Sequence, residues 1–182
     1  MAELHDLTAL EVGAAVAQRE VSPVELAEHY LERCARLSGD LGAFVTLTPD
    51  VAREQASGLE RELRTTGPRG PLHGVPVPVK DLNLTRGIRT TFGSAAFADH
   101  VPDLDDHVVT RLRDAGTVLL GKTNAPEFGL PCYTESEVAP PARSPWDAAL
   151  MAGGSSGGAA VAVAAGLAPL AHGNDGGGSV RI

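Results

Sequence analysis

Cysteine is nearly absent from this 182-residue chain: Cys34 and Cys132 are the only two, and they form no CxxC pair. That spacing excludes a disulfide framework and the usual structural zinc site. Aromatic residues make up only 4% of the chain, so small aliphatic side chains must build the interior. Positive charge is in deficit. The formal net charge of −8 excludes a basic nucleic-acid surface and an anionic membrane surface as the main partner. Long hydrophobic runs are also missing. The longest small-apolar stretch, Ala159 to Ala171, is interrupted by Gly166 and Pro169, and falls short of the ~18 residues that a membrane span requires. The N-terminal MAELHDLTALEV has neither a basic leader nor a continuous apolar segment, so a cytoplasmic location is the expectation. No internal repeat or low-complexity linker is present. The chain stops at Val180–Arg181–Ile182, directly after a glycine-rich segment, and the expectation is a truncated chain.

What is present begins with helix signals. Thr8 and Glu11 have the spacing of a capping box. Ser22–Pro23–Val24–Glu25 offers a cap residue, proline at the first helical position and glutamate three after the cap. From there Leu26, Tyr30, Cys34 and Leu37 recur at helical spacing. Thr48–Pro49–Asp50 opens a further helix reaching about Leu63. The pattern then changes. Val75–Pro76–Val77–Pro78–Val79–Lys80–Asp81 alternates valine with proline, which predicts an edge or irregular strand. Asp105 is expected to cap a helix that closes at Gly116, followed by a short strand from Thr117 to Leu120. A proline-rich loop leads to Gly153–Gly158, expected to open an alanine-valine helix ending at Gly166. A strand from about Ala168 to His172 is expected next. Helix and strand therefore alternate in the second half, which predicts α/β architecture with a largely buried sheet. The chain reads as one domain, with a helical region over 1–66 and a second region over 67–182.

Four groups of residues could carry chemistry. Gly116 to Thr123 matches the nucleotide-binding pattern GxxxxGK[ST] letter for letter. Its inner residues Thr117, Val118, Leu119 and Leu120 prefer to be strand, whereas a phosphate-cradling loop follows a strand and opens a helix. The segment therefore reads as a helix end, a buried strand and a turn. Asp103, Asp105, Asp106 and His107 lack a metal-ligand spacing and read as a charge cluster at a helix start. There are six histidines but no GxSxG elbow, and His172 reads as a packing or hydrogen-bonding residue.

The fourth group comprises Gly153–Gly158 (GGSSGG), Asp175–Ser179 (DGGGS) and Lys80. Glycines beside serine permit unusual backbone conformations and leave the hydroxyl uncovered. Consecutive N–H groups over Gly176, Gly177, Gly178 and Ser179 could converge on a developing negative oxygen. Read singly, each run is also compatible with a flexible loop and Lys80 with a surface residue. Each run, however, abuts a strongly apolar element, and a lysine ending a buried strand is desolvated into a usable base.

At these residues the sequence resembles the amidase signature family. The resemblance lies in GVPVPVKD (Gly74–Asp81), TTFGS (Thr90–Ser94), the stretch from Val108 to Phe128, SPWD, GGSSGG and the closing GNDGGGSVRI, in that order over roughly residues 70 to 182. It implies a mixed sheet covered by helices, incomplete at the C-terminus, and a Ser–Ser–Lys amidohydrolase. By resemblance, Lys80 is the base and Ser179 the nucleophile. Ser155 is the bridging serine, held in a cis peptide, with Ser156 and Asp175 in support. The amides of Gly176, Gly177 and Gly178 form the oxyanion hole. No metal or organic cofactor is implied. The expected partner is a small-molecule amide, without nucleic acid or membrane, and a homodimer is an open quaternary arrangement.

Three departures bear on the Ser155 loop. Ala152 stands where proline is common, Ser144 where asparagine is common, and no arginine lies in Asp147–Ala152. The amidase component of a tRNA-dependent amidotransferase is the alternative. Asn124–Ala125–Pro126–Glu127–Phe128 departs from the NMDEF-like sequence of those proteins, which favours a stand-alone amidase. A non-catalytic fragment or binding module that keeps the motifs is the third reading. The isolated 182-residue piece is expected to be weakly stable or inactive.

Overall fold

The computed structural model describes residues 3–182. The first half is helical: α1 (Ala9–Ala17), α2 (Pro23–Leu41) and α3 (Pro49–Thr65). Each begins where the sequence has a cap or proline signal. Thr8 and Glu11 bond each other's backbone N–H in a capping box. Ser22 Oγ accepts from the Glu25 N–H at 3.0 Å. Thr48 behaves differently: its hydroxyl donates to Leu119 O at 3.1 Å, tying the start of α3 to the sheet instead of capping the helix. In α2 Leu26, Tyr30 and Cys34 of the predicted stripe are fully buried, and Leu37 packs half-buried against the same core. In α3, Ala52, Ala56, Leu59 and Leu63 face the same core. Gly42 closes α2 in the left-handed conformation at φ +60°. A Cβ there would come within 2.2 Å of Pro141 O, so both backbone conformation and space require glycine.

The sheet has three strands in the order β1–β3–β2, with β1 (Phe44–Leu47) antiparallel and β2 (Pro76–Lys80) parallel to β3 (Val118–Thr123). The proline-bearing β2 lies at an edge, as its missing N–H groups dictate. All residues of β2 and β3 are buried, because helices pack over them. Lys80 pairs with Thr123 and Val79 with Lys122, so two lysines lie at the C-terminal ends of neighbouring strands, Lys80 last in β2 and Lys122 next to last in β3, inside the protein.

Several expectations require correction. The strand predicted over Thr117–Leu120 runs on through Gly121, Lys122 and Thr123. GKT is therefore strand, not a phosphate loop. The four-residue β1 has an aromatic and β-branched composition but no length to make it stand out. Helix α4 (His107–Asp114) is preceded by Asp106, one residue later than predicted. Asp106 Oδ2 accepts from Leu84 N at 3.0 Å, and Asp105 Oδ1 from Arg86 N at 2.7 Å; both carboxylates hold a loop instead of capping. The strand expected over Ala168–His172 does not form. It runs beside β2, whose prolines offer no N–H, and its one bond there is His172 N to Pro78 O at 3.0 Å. The final helix, α5 (Gly157–Ala164), ends before Gly166 as its composition predicts.

The main core runs from Val12 and Val16 of α1, through α2, α3 and both long strands, to Val161, Ala162, Leu167 and Ala168. A smaller cluster of Val79, Ile88, Val109 and Leu119 lies under α4. The packing of α5 presents the serine-bearing loop to the end of β2.

Candidate active site

Lys80 ends β2 with its side chain fully buried. Its Nζ lies 2.9 Å from the Oγ atoms of Ser155, Ser156 and Ser179, and 2.8 Å from Asn174 Oδ1. The serines also contact one another. Ser155 Oγ donates to Ser179 Oγ at 2.9 Å, and Ser156 Oγ lies 2.6 Å from it. Burial lowers the lysine from its ordinary value to about 8, against the opposing pull of the Asp175 carboxylate. A substantial fraction is therefore a neutral amine at mildly alkaline pH, and a neutral amine can accept a proton.

The Ser155 loop arches out of the chain just before α5. Its Gly154–Ser155 peptide is cis. Thr134, fully buried, donates its hydroxyl to Gly153 O at 2.9 Å and accepts from Gly157 N at 3.1 Å. Gly158 lets α5 press against the sheet: a Cβ there would stand 2.3 Å from Asn124 N. Asn124, just past β3, in turn donates its side-chain amide to Gly42 O and Pro140 O at 3.0 and 2.8 Å.

The second glycine run folds around Asp175. One carboxylate oxygen accepts from Gly178 N at 2.6 Å, the other from Val180 N at 3.2 Å, and both from Arg181. The Arg181 guanidinium, with the backbone N–H groups, holds this carboxyl well below the usual carboxylate range. The three glycine amides proposed from the resemblance are thus not equivalent. Gly178 N–H is committed to Asp175, whereas those of Gly176 and Gly177 donate to no acceptor among the described residues. Gly176 and Gly177 line a cleft of about 490 Å³ with Ser155, Asn174 and Ser179, opposite no charged partner other than Asp175. Its apolar lining includes Leu82, Phe128, Leu130 and Cys132. The arrangement sets serine hydroxyls, a desolvated amine and free N–H donors around one opening.

Sequence reading missed three participants. Asn174 offered the only signal, since it lies between two of the quoted glycines. Thr134 stands in a loop with no periodicity. Lys122 falls in the segment that the sequence reads as a turn. Its ammonium is fully buried and donates to Asn83 O, Thr90 Oγ1 and Thr85 Oγ1 at 2.6, 2.8 and 3.1 Å, with Asp81 Oδ1 at 3.7 Å. Burial lowers Lys122 to about 8 and raises Asp81, each toward its neutral form. His172 makes no hydrogen bond to Ser179. Its ring Nδ1 is buried without a partner among the described residues, and burial lowers its basicity, Lys80 reinforcing the effect. Among the described residues no group of three or more His, Cys, Asp or Glu side chains is arranged to hold a metal ion.

Comparison with known proteins matches residues 25–182 to the family described as Amidase. The A subunit of the glutamyl-tRNA(Gln) amidotransferase of Thioalkalivibrio sulfidiphilus is 44% identical over 178 residues, covering 98% of this chain and 37% of that protein. The acylamidase of Rhodococcus erythropolis is 45% identical over 179 residues, covering 98% of this chain and 38% of its own. Among solved structures, a bacterial aryl acylamidase of the amidase signature family superposes with TM-score 0.92 at 35% identity, over 99% of this chain and 38% of that one. A 6-aminohexanoate cyclic dimer hydrolase gives TM-score 0.89 at 35% identity, over 100% and 36%. The chain therefore spans a little over a third of the length of the relatives it matches.

Proposed function

Because the chain belongs to the amidase signature family, we propose that it carries the catalytic part of an amidohydrolase that cleaves a carboxamide C–N bond through a serine acyl-enzyme. Lys80, as the neutral amine, takes a proton from Ser155 while Ser155 takes one from Ser179. The Ser179 oxygen attacks the amide carbon and forms the C–O bond. The Gly176 and Gly177 amides receive the negative charge that develops on the carbonyl oxygen, a role worth roughly 3 kcal/mol per donor. The proton returns through Ser155 to the nitrogen, the C–N bond breaks, and the amine leaves. Water then repeats the sequence on the ester and releases the acid. Asn174 and Ser156 hold Lys80 and Ser179 in register, and Asp175 shapes the glycine turn.

The observation that supports this reading is the convergence of three hydroxyls within 2.9 Å of one buried lysine nitrogen. A small-molecule amide fits a cleft whose one charged lining residue, Asp175, is paired with Arg181. No helix among the described residues is long and apolar enough to cross a membrane. We read residues 3–182 as one domain, since one apolar core joins Val12 to Ala168.

The likeness to the amidotransferase protein keeps a second reading in view, with glutamine as the amide and partner proteins required. The Ala125–Pro126 pair and the acylamidase relative favour the stand-alone enzyme. Two measurements decide. Ser179→Ala should abolish turnover of a simple carboxamide and block labelling by a fluorophosphonate probe; retained turnover would overturn the reading. Hydrolysis of glutamine, but of no simple amide, would select the amidotransferase.

A further inference from the structure

The GGSSGG arch has side chains at only two positions, Ser155 and Ser156, and both hydroxyls point to Lys80. The two glycines that flank them directly, Gly154 and Gly157, are explained by what fills the inside of the arch. A Cβ at Gly157 would lie 2.3 Å from Thr134 Oγ1, and one at Gly154 would lie 3.0 Å from the same atom. The threonine hydroxyl thus occupies the space that a side chain at Gly157 would need, and shares with the Tyr133 backbone the space beside Gly154. It closes a bridge across the loop, donating to Gly153 O on the entering side and accepting from Gly157 N on the leaving side. Thr134 is itself anchored, because its carbonyl accepts from Ala142 N at 2.9 Å. Thr134 makes no hydrogen bond to Lys80 or to any serine hydroxyl among the described residues.

We propose that Thr134 is a positioning residue for the reaction: its single hydroxyl clasps both ends of the serine arch and sets the reach of Ser155 and Ser156 to Lys80. This rests on the serine-amidase reading above. A hydroxyl is required because one atom must donate and accept at once. Serine meets that requirement, whereas valine keeps the shape but can do neither. Catalytic alignment is steep in distance, and a displacement of about 1 Å can reduce rate roughly 100-fold.

The test compares Thr134→Val, Thr134→Ser and Ser179→Ala in the full-length enzyme. It reads kcat and KM on a neutral anilide, melting temperature, and exchange protection of the Gly157 amide. Thr134→Val is expected to lose about 100-fold in kcat with KM unchanged, and to lose the Gly157 protection. Thr134→Ser is expected to keep most of both, although it removes the methyl group from the core. If the valine variant does not fold, Thr134→Cys, a poor donor and acceptor, serves in its place. Wild-type kcat in Thr134→Val overturns the proposal. So does an equal loss in the serine and valine variants that follows their melting temperatures. Turnover that survives in Ser179→Ala removes the amidase reading itself, a failure distinct from either.

Discussion

At the scale of single residues, burial decides the chemistry. Lys80 and Lys122 are both lowered to about 8, whereas an unfolded lysine titrates near pH ~10.4. Above pH 8 the folded chain therefore binds fewer protons than the unfolded chain, and stability increases with pH. Cys34 acts in the opposite direction, because burial raises its thiol from 9.0 to about 12. The unfolded thiol ionises first, which subtracts from the rise once the pH passes 9. Melting temperature should climb from pH 7 to pH ~8.8, and the climb should shrink in Lys80→Met. A flat wild-type profile would contradict the lowered lysines. The rate should follow the same proton: kcat/KM is expected to increase through pH ~8 as Lys80 becomes an amine. Lys122 offers a separate check. Lys122→Met removes the buried cation nearest Asp81, leaves Asn83 O, Thr85 and Thr90 without that donor, and should destabilise by about 3–5 kcal/mol in denaturant titration.

At the scale of elements, glycine substitutions separate space from conformation. Gly39 lies within α2, with nothing within 4 Å of where a Cβ would stand. Gly39→Ala should stabilise by about 0.5–1 kcal/mol. Gly158→Ala should do the reverse and also slow turnover, because its Cβ would drive α5 from Asn124 and Ala43 and carry the serine arch with it. Equal effects from the two substitutions, measured by thermal melts, would refute the packing argument. The same elements show what was legible in the sequence. Caps and periodicity located α1, α2 and α3, because those signals are local. The valine-proline alternation marked β2 as an edge, because proline's missing N–H is a property of the residue. The predicted strand after α5 failed because pairing depends on a partner, and the partner's prolines withhold the donors. Lys80, Ser155 and Ser179 are legible from motif, but the hydrogen bonds of Thr134 and Asn174 are contacts that no spacing encodes.

At the scale of the whole molecule, the helical first third and the later region share one core, from Val12 to Ala168. They are expected to unfold together, with calorimetric and van't Hoff enthalpies that agree. Two separated transitions would divide the domain. Large apolar side chains nevertheless face solvent, including Trp146 at 81%, Leu130 at 83% and Ile182 at 58% exposure. An apolar dye should bind this chain and bind less once those three residues are made polar. The lysine cluster also joins distant parts of the chain: Ser155, Ser156, Asn174 and Ser179 lie 75, 76, 94 and 99 positions from Lys80. Valence arithmetic adds a constraint there. An ammonium has three hydrogens to offer four oxygen neighbours, so one pairing always goes unmade. An amine offers two and has a lone pair free to receive a hydroxyl hydrogen. The loss of a charge thus frees the nitrogen to receive a hydrogen from a serine hydroxyl; the surrounding oxygens favour the ammonium, and it is burial that brings the amine within reach near pH 8.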